Sequence, residues 1–167
     1  MDVNQIPKIN MENSETGCCP KFDPEPWDNK EFKFEDKLFV KANTFSIFHI
    51  PLNMGSVMGK TWKAIQEAEA AIDEFLVLSY DPSPWKGEHL FAVKKEVPGQ
   101  KNIKLSGTFY SKVFEGPYKD APKWMKEMEK MVEEKGEKAK KIYFFYTSCP
   151  KCSKHYGKNY IVGFAQV

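Results

Sequence analysis

No apolar run in this chain approaches the roughly 20 residues that a membrane-crossing helix needs, so no span is predicted and no membrane partner is expected. An excess of one charge is missing too. The formal net charge is +2 and Lys and Glu are interspersed, which excludes the basic stripe of a nucleic-acid surface. Residues 1–15 are polar and lack the basic, apolar and small-residue succession of a secretory signal, so the expected compartment is cytoplasmic. Cysteine is scarce, at four residues, and in a reducing compartment four cysteines are thiols or metal ligands rather than disulfides.

What the chain does have is 167 residues, 41% hydrophobic and 14% aromatic, enough to bury a core. Residues 1–16 read as a loose polar tail. Residues 17–37 read as an extended, Pro-rich segment packed on the domain, because Pro20, Pro24 and Pro26 forbid a helix and disfavour a central strand. Aromatic and β-branched residues then predict a short strand near 31–35 and a longer one over 38–50. After Pro51 the period becomes helical: Met54, Met58, Trp62, Ile65, Ala68 and Ile72 form one apolar stripe, with Asn53 and Ser56 as candidate caps. Two strands follow, Phe75 to Tyr80 and His89 to Val93, around a turn that holds Pro82, Pro84 and Trp85.

The second half repeats that succession. Lys104 to Glu115 is a strand. Asp120-Ala121-Pro122 opens a helix with Trp124, Met128, Met131 and Val132 on its apolar face, and Gly136 ends it. Strands at Lys141 to Ser148 and Asn159 to Val167 flank a turn. Pro117 falls on Pro51, Phe114 on Phe48, Pro150 on Pro82 and Val167 on Val97. The expected fold is therefore α+β: two pseudo-symmetric strand–helix–strand–strand units, about 38–98 and 102–167, forming antiparallel sheets with a central groove.

The junction Phe114-Glu115-Gly116-Pro117-Tyr118 and the strand–helix–strand–strand duplication resemble the gyrase-inhibitor-like (GyrI-like) small-molecule-binding domains over residues 38–167. With Cys18-Cys19-Pro20 near the start and Cys149-Pro150-Lys151-Cys152 near the end, the chain is most similar to a subgroup known as hydrolases. The family usually has a histidine where this chain has Glu115, and its sensors often carry an acid on the penultimate strand, absent from Lys141 to Thr147. The resemblance implies a hydrophobic or aromatic small molecule as partner. Its relatives include ligand sensors, a gyrase inhibitor and enzymes that open reactive cyclopropane rings. No helix-turn-helix precedes the domain, so a stand-alone transcription factor is not expected.

Four sets of side chains could carry chemistry. Glu115 ends an aromatic strand, and a partly desolvated carboxylate there would activate water as a general base; the alternative is a solvated strand end. His49 is its counterpart in the repeat. Tyr118 and Tyr146 could orient a ligand or donate to a leaving oxygen, or be rim aromatics. Trp27, Trp85, Phe91 and Phe145 are candidate walls of an aromatic slot, whereas Trp62 and Trp124 belong to helix stripes. Cys149 and Cys152, spaced C-x-x-C in a turn between strands, could hold a structural zinc with Cys18 and Cys19, with His155 as a substitute ligand; four ordinary thiols are the alternative. The expected function is hydrolysis of a hydrophobic electrophile, alternatively a non-catalytic binder or sensor, or a zinc-stapled interaction module.

Overall fold

The structure is a computed structural model that describes residues 3–8, 22–48, 50–72, 74–147, 152, 154–155 and 157–167. Among the described residues the fold is mixed, with α-helices and antiparallel strand pairs. The chain divides into two compact units: an inserted unit, Glu35–Ser106, and a split unit that combines the residues up to Phe34 with Gly107–Val167.

In the inserted unit the elements are β1 (Glu31–Ile47, which begins four residues upstream), β2 (Ile50–Pro51), α1 (Met54–Glu67), β3 (Val77–Ser83) and β4 (Lys86–Ala92). The strands lie in the order β2-β1-β4-β3. Where two strands were predicted between 31 and 50, one long strand runs through. Its irregularity is confined to Asp36, which takes a left-handed φ of 49° and whose N–H donates to Ser106 Oγ at 2.8 Å. The helix also ends earlier than its stripe suggests. Glu69 adopts a φ of 55° just past Ala68, so Ile72 lies outside α1. Asn53 occupies the N-cap position but makes no cap bond; its Oδ1 instead accepts from Phe45 N–H at 2.7 Å. Strand alternation puts Val40 and Ala42 of β1, Val77 of β3 and Phe91 of β4 on the face that packs under Ile65, Trp62 and Met58 of α1.

The split unit contains a short 3-10 turn (Glu25–Trp27), β5 (Lys101–Glu115, which begins in the inserted unit), a second 3-10 turn (Tyr118–Asp120), α2 (Ala121–Glu134), β6 (Lys141–Tyr146) and β7 (Tyr160–Gln166). Its strand order is β6-β7-β5. In both units, therefore, the last strand lies between the first and the middle one. Pro122 sits in the first turn of α2, where its missing N–H costs nothing, and Gly136 with φ 78° follows its end. Trp124, Met128 and Val132 of α2 pack on Phe114, Ile142, Phe144, Ile161 and Ala165. Gly163 makes this close: a Cβ there would stand 2.7 Å from Met128 Sδ.

The other face of this second sheet is covered by the Pro-rich segment. Trp27 is buried with its ring 5.3 Å from Phe145, 6.1 Å from Phe164 and 6.0 Å from Phe32. Ser111 fastens the segment: its Oγ donates to Trp27 O at 2.5 Å and accepts from Lys30 N–H at 3.2 Å. Asp28 Oδ1 accepts from Val113 N–H at 2.9 Å. Among the described residues no helix is long and apolar enough to cross a membrane.

Candidate active site

The strand-to-helix junction is built on the β5–β7 ladder. Glu115 is the last residue of β5 and stands opposite Tyr160. Gly116 then turns the chain with φ 152°, where a Cβ would meet Trp124 at 3.4 Å and Asp120 at 3.5 Å. Asn159, just before β7, clamps this turn: its Nδ2 donates to Gly116 O at 2.8 Å, and Gly116 N–H donates to Asn159 O at 3.1 Å. The carboxylate of Glu115 is thus exposed on a backbone fixed from two directions.

Alternation then separates residues that the sequence grouped together. Phe114, Ile161 and Tyr146 form one row across the sheet on the α2 side. Glu115 and Tyr160 form the next row and face the other way. Tyr118 stays with the α2 side, its ring 5.6 Å from that of Tyr146 in a T-shaped pair. The predicted carboxylate and its two predicted tyrosines therefore do not share a wall. The tyrosine that shares the row of Glu115 is Tyr160, a half-buried ring 5.8 Å from Phe22. Sequence reasoning missed it, although pairing β5 with β7 at the Phe114–Ile161 row would have found it. Exposure also removes the desolvation invoked for Glu115, because its carboxylate keeps contact with water.

The predicted slot walls fall in different places. Trp27 and Phe145 are buried against each other in the split unit, and Phe91 is buried under α1 in the inserted one. All three are core residues. Trp85 is exposed beside Phe48, with ring centroids 5.1 Å apart. A depression of about 460 Å³ lies over Lys30, Glu31, Tyr110, Glu134 and Lys135, bordered by none of the predicted site residues. His49, Cys18, Cys19 and Cys149 lie outside the described residues; Cys152 is described and its thiol is buried. His155 is exposed. Among the described residues no group of three His, Cys, Asp or Glu could hold a metal.

A polar cluster, which the sequence did not reveal, lies on the sheet face that carries α1. His89 is buried, with Nε2 3.0 Å from Thr44 Oγ1 and Nδ1 2.8 Å from Ser79 Oγ. In the neutral ring one nitrogen donates and the other accepts, so both hydroxyls and both nitrogens are satisfied. Burial holds the imidazole below its ordinary value, while the carboxylates of Asp81 and Glu88 pull it partly back. Gly87 lets the cluster close, since a Cβ there would stand 2.5 Å from Thr44 Oγ1 and 3.2 Å from His89 Nε2. Chemically this is a hydroxyl–imidazole–hydroxyl lock. Thr44 and Ser79 are both buried, so neither oxygen is presented to a substrate.

The family described as bacterial hydrolase matches residues 9–167. The chain belongs to that family. No curated protein matches it. The family match spans both units and so covers both Glu115 and the His89 cluster. The two differ in accessibility: Glu115 is exposed and His89 is buried.

Proposed function

We propose that this bacterial-hydrolase family member has a GyrI-like fold and hydrolyses a small hydrophobic electrophile, with Glu115 activating the attacking water. The observation that carries this reading is an exposed carboxylate on a clamped junction, with the aromatic ring of Tyr160 directly across the ladder. Glu115 takes a proton from water as the water oxygen bonds to the electrophilic carbon and that carbon's bond to its leaving atom (a ring bond in a cyclopropane) breaks, and the proton then passes to the departing group. Tyr160 supplies an apolar wall and a hydroxyl for the developing oxyanion or phenolate. A positioned general base contributes about 10²–10⁴ in rate. The test is turnover of a cyclopropane-bearing alkylating electrophile: Glu115→Gln loses at least about 100-fold in kcat while still binding the compound. Full turnover in that variant would refute the mechanism, and binding without turnover in the wild type would make the protein a binder.

The metal proposal is separate. A structural zinc held by Cys18, Cys19, Cys149 and Cys152 would staple the start of the chain to the β6–β7 connection, and the buried thiol of Cys152 suits a closed, water-free site. A site of four thiolates has no open position for water, so its zinc would supply folding energy and take no part in hydrolysis. Metal analysis of the purified protein is expected to give about one equivalent of zinc; less than about half an equivalent would remove the proposal.

A further inference from the structure

Five large apolar side chains of the inserted unit, Phe45, Ile47, Phe48, Leu52 and Trp85, are between 42% and 71% exposed. They come from two neighbouring tips, the β1–β2 turn and the β3–β4 turn. Backbone bonds join them: Ser46 N–H donates to Trp85 O at 2.8 Å and Leu52 N–H to Phe45 O at 2.9 Å. Phe48, the most exposed, is held at φ +47°, a conformation that costs free energy for a bulky residue. The chain thus accepts backbone strain at the point where it shows an aromatic ring to solvent beside Trp85.

The charge around these tips is one-sided. The chain has 23 acidic residues, yet residues 43–60 and 82–87 contain none, while Lys86 is exposed and Asp81 is the acid that borders the β3–β4 tip. Lys86 stands opposite Phe45 on the same face of the β1–β4 ladder. The next acid along that face, Glu88, is already paired with Lys41 at 2.7 Å, and Asp81 turns an oxygen toward Gly87 and the His89 cluster. Aromatic rings beside a lysine, with the neighbouring carboxylates turned to Lys41 and to Gly87, match the boundary of an anionic lipid layer, where rings enter the headgroup zone and ammonium groups meet phosphates.

We propose that this surface seats the protein on an anionic lipid layer, lying on it rather than crossing it. The site does not depend on the hydrolase reading, and its failure would leave that reading intact. The test uses the full chain and vesicles of phosphatidylcholine with or without phosphatidylserine, read by co-sedimentation and tryptophan emission. Trp27 and Trp124 are buried and Trp62 is half-buried, so a blue shift that is lost with Trp85→Ser reports Trp85. The expected result is sedimentation with anionic vesicles and a blue shift. Phe48→Ser with Trp85→Ser should lower partitioning at least about tenfold, and Lys86→Glu should weaken binding to anionic vesicles only. No sedimentation, equal sedimentation of the double variant, or equal binding to neutral vesicles would overturn the proposal. So would a concentration-dependent dimer, formed without lipid and abolished by the double variant, which would assign the surface to a second copy of the chain.

Discussion

The two units share a connectivity but treat the end of the sheet where the first strand turns toward its helix in opposite ways. In the split unit that end is aromatic inside: Phe114, Phe144 and Tyr146 close around Trp124 beneath α2. In the inserted unit the inside is polar, with Thr44, His89 and Ser79 on the sheet face that carries α1, and the aromatics Phe45, Phe48 and Trp85 are outside. Apolar packing tolerates small shifts, whereas a hydroxyl–imidazole lock fixes register through directional bonds. One arrangement leaves a rigid junction that presents a carboxylate to water. The other leaves an apolar surface that presents rings to it.

Each prediction strains that contrast at a different point. The largest effect should come from Trp27→Ala, which empties the aromatic face of the split unit and should cost about 3–5 kcal/mol in chemical denaturation. Trp85→Ala, at the exposed tip, should change stability by no more than about 0.5 kcal/mol; equal costs would mean that Trp85 is core as well. Gly87→Ala should cost about 1–3 kcal/mol by pushing Thr44 from His89, whereas Gly55→Ala, with open space around it, should not destabilise. Similar melting of the two variants would show that the lock can relax. The smallest effect is with pH. The folded His89 titrates below its unfolded value of about 6.5, so its contribution is complete above that pH. It falls as the unfolded chain gains a proton that the folded chain refuses, until the folded ring is protonated too. The slope is at most about 1.4 kcal/mol per pH unit. Amide exchange should show β3 and β4 losing protection between about pH 7 and 5.5, while β6 and β7 keep theirs; parallel losses would place the proton sensor elsewhere.

Much of the connectivity was legible because the apolar period changes from two to about 3.6 and back in each half. What the period could not show was local backbone exceptions. Asp36 absorbs an irregularity within a strand that reads as two, and Glu69 stops a helix whose stripe continues to Ile72. The site was legible as a set of residue types and not as a geometry. Glu115, Tyr118 and Tyr146 look like one group until strand pairing puts Glu115 and Tyr146 on opposite faces of the sheet and a ring contact keeps Tyr118 with Tyr146. Trp27 looks like a pocket wall until Ser111, 84 residues away, is found holding it down. Thr44 and Ser79 lie 45 and 10 residues from His89, and only the register of three strands brings them to one ring. A sequence without a spanning segment also says nothing against a surface that rests on lipid, since the two rely on different apolar patterns.

The most direct test of the account compares Glu115→Gln with Tyr146→Phe in one assay of electrophile hydrolysis, both variants first shown to melt like the wild type. With catalysis on the Glu115–Tyr160 side of the β5–β7 ladder, Glu115→Gln should lose at least about 100-fold in kcat and Tyr146→Phe less than about threefold. A Tyr146→Phe loss as large as that of Glu115→Gln, or no loss in either, would contradict it.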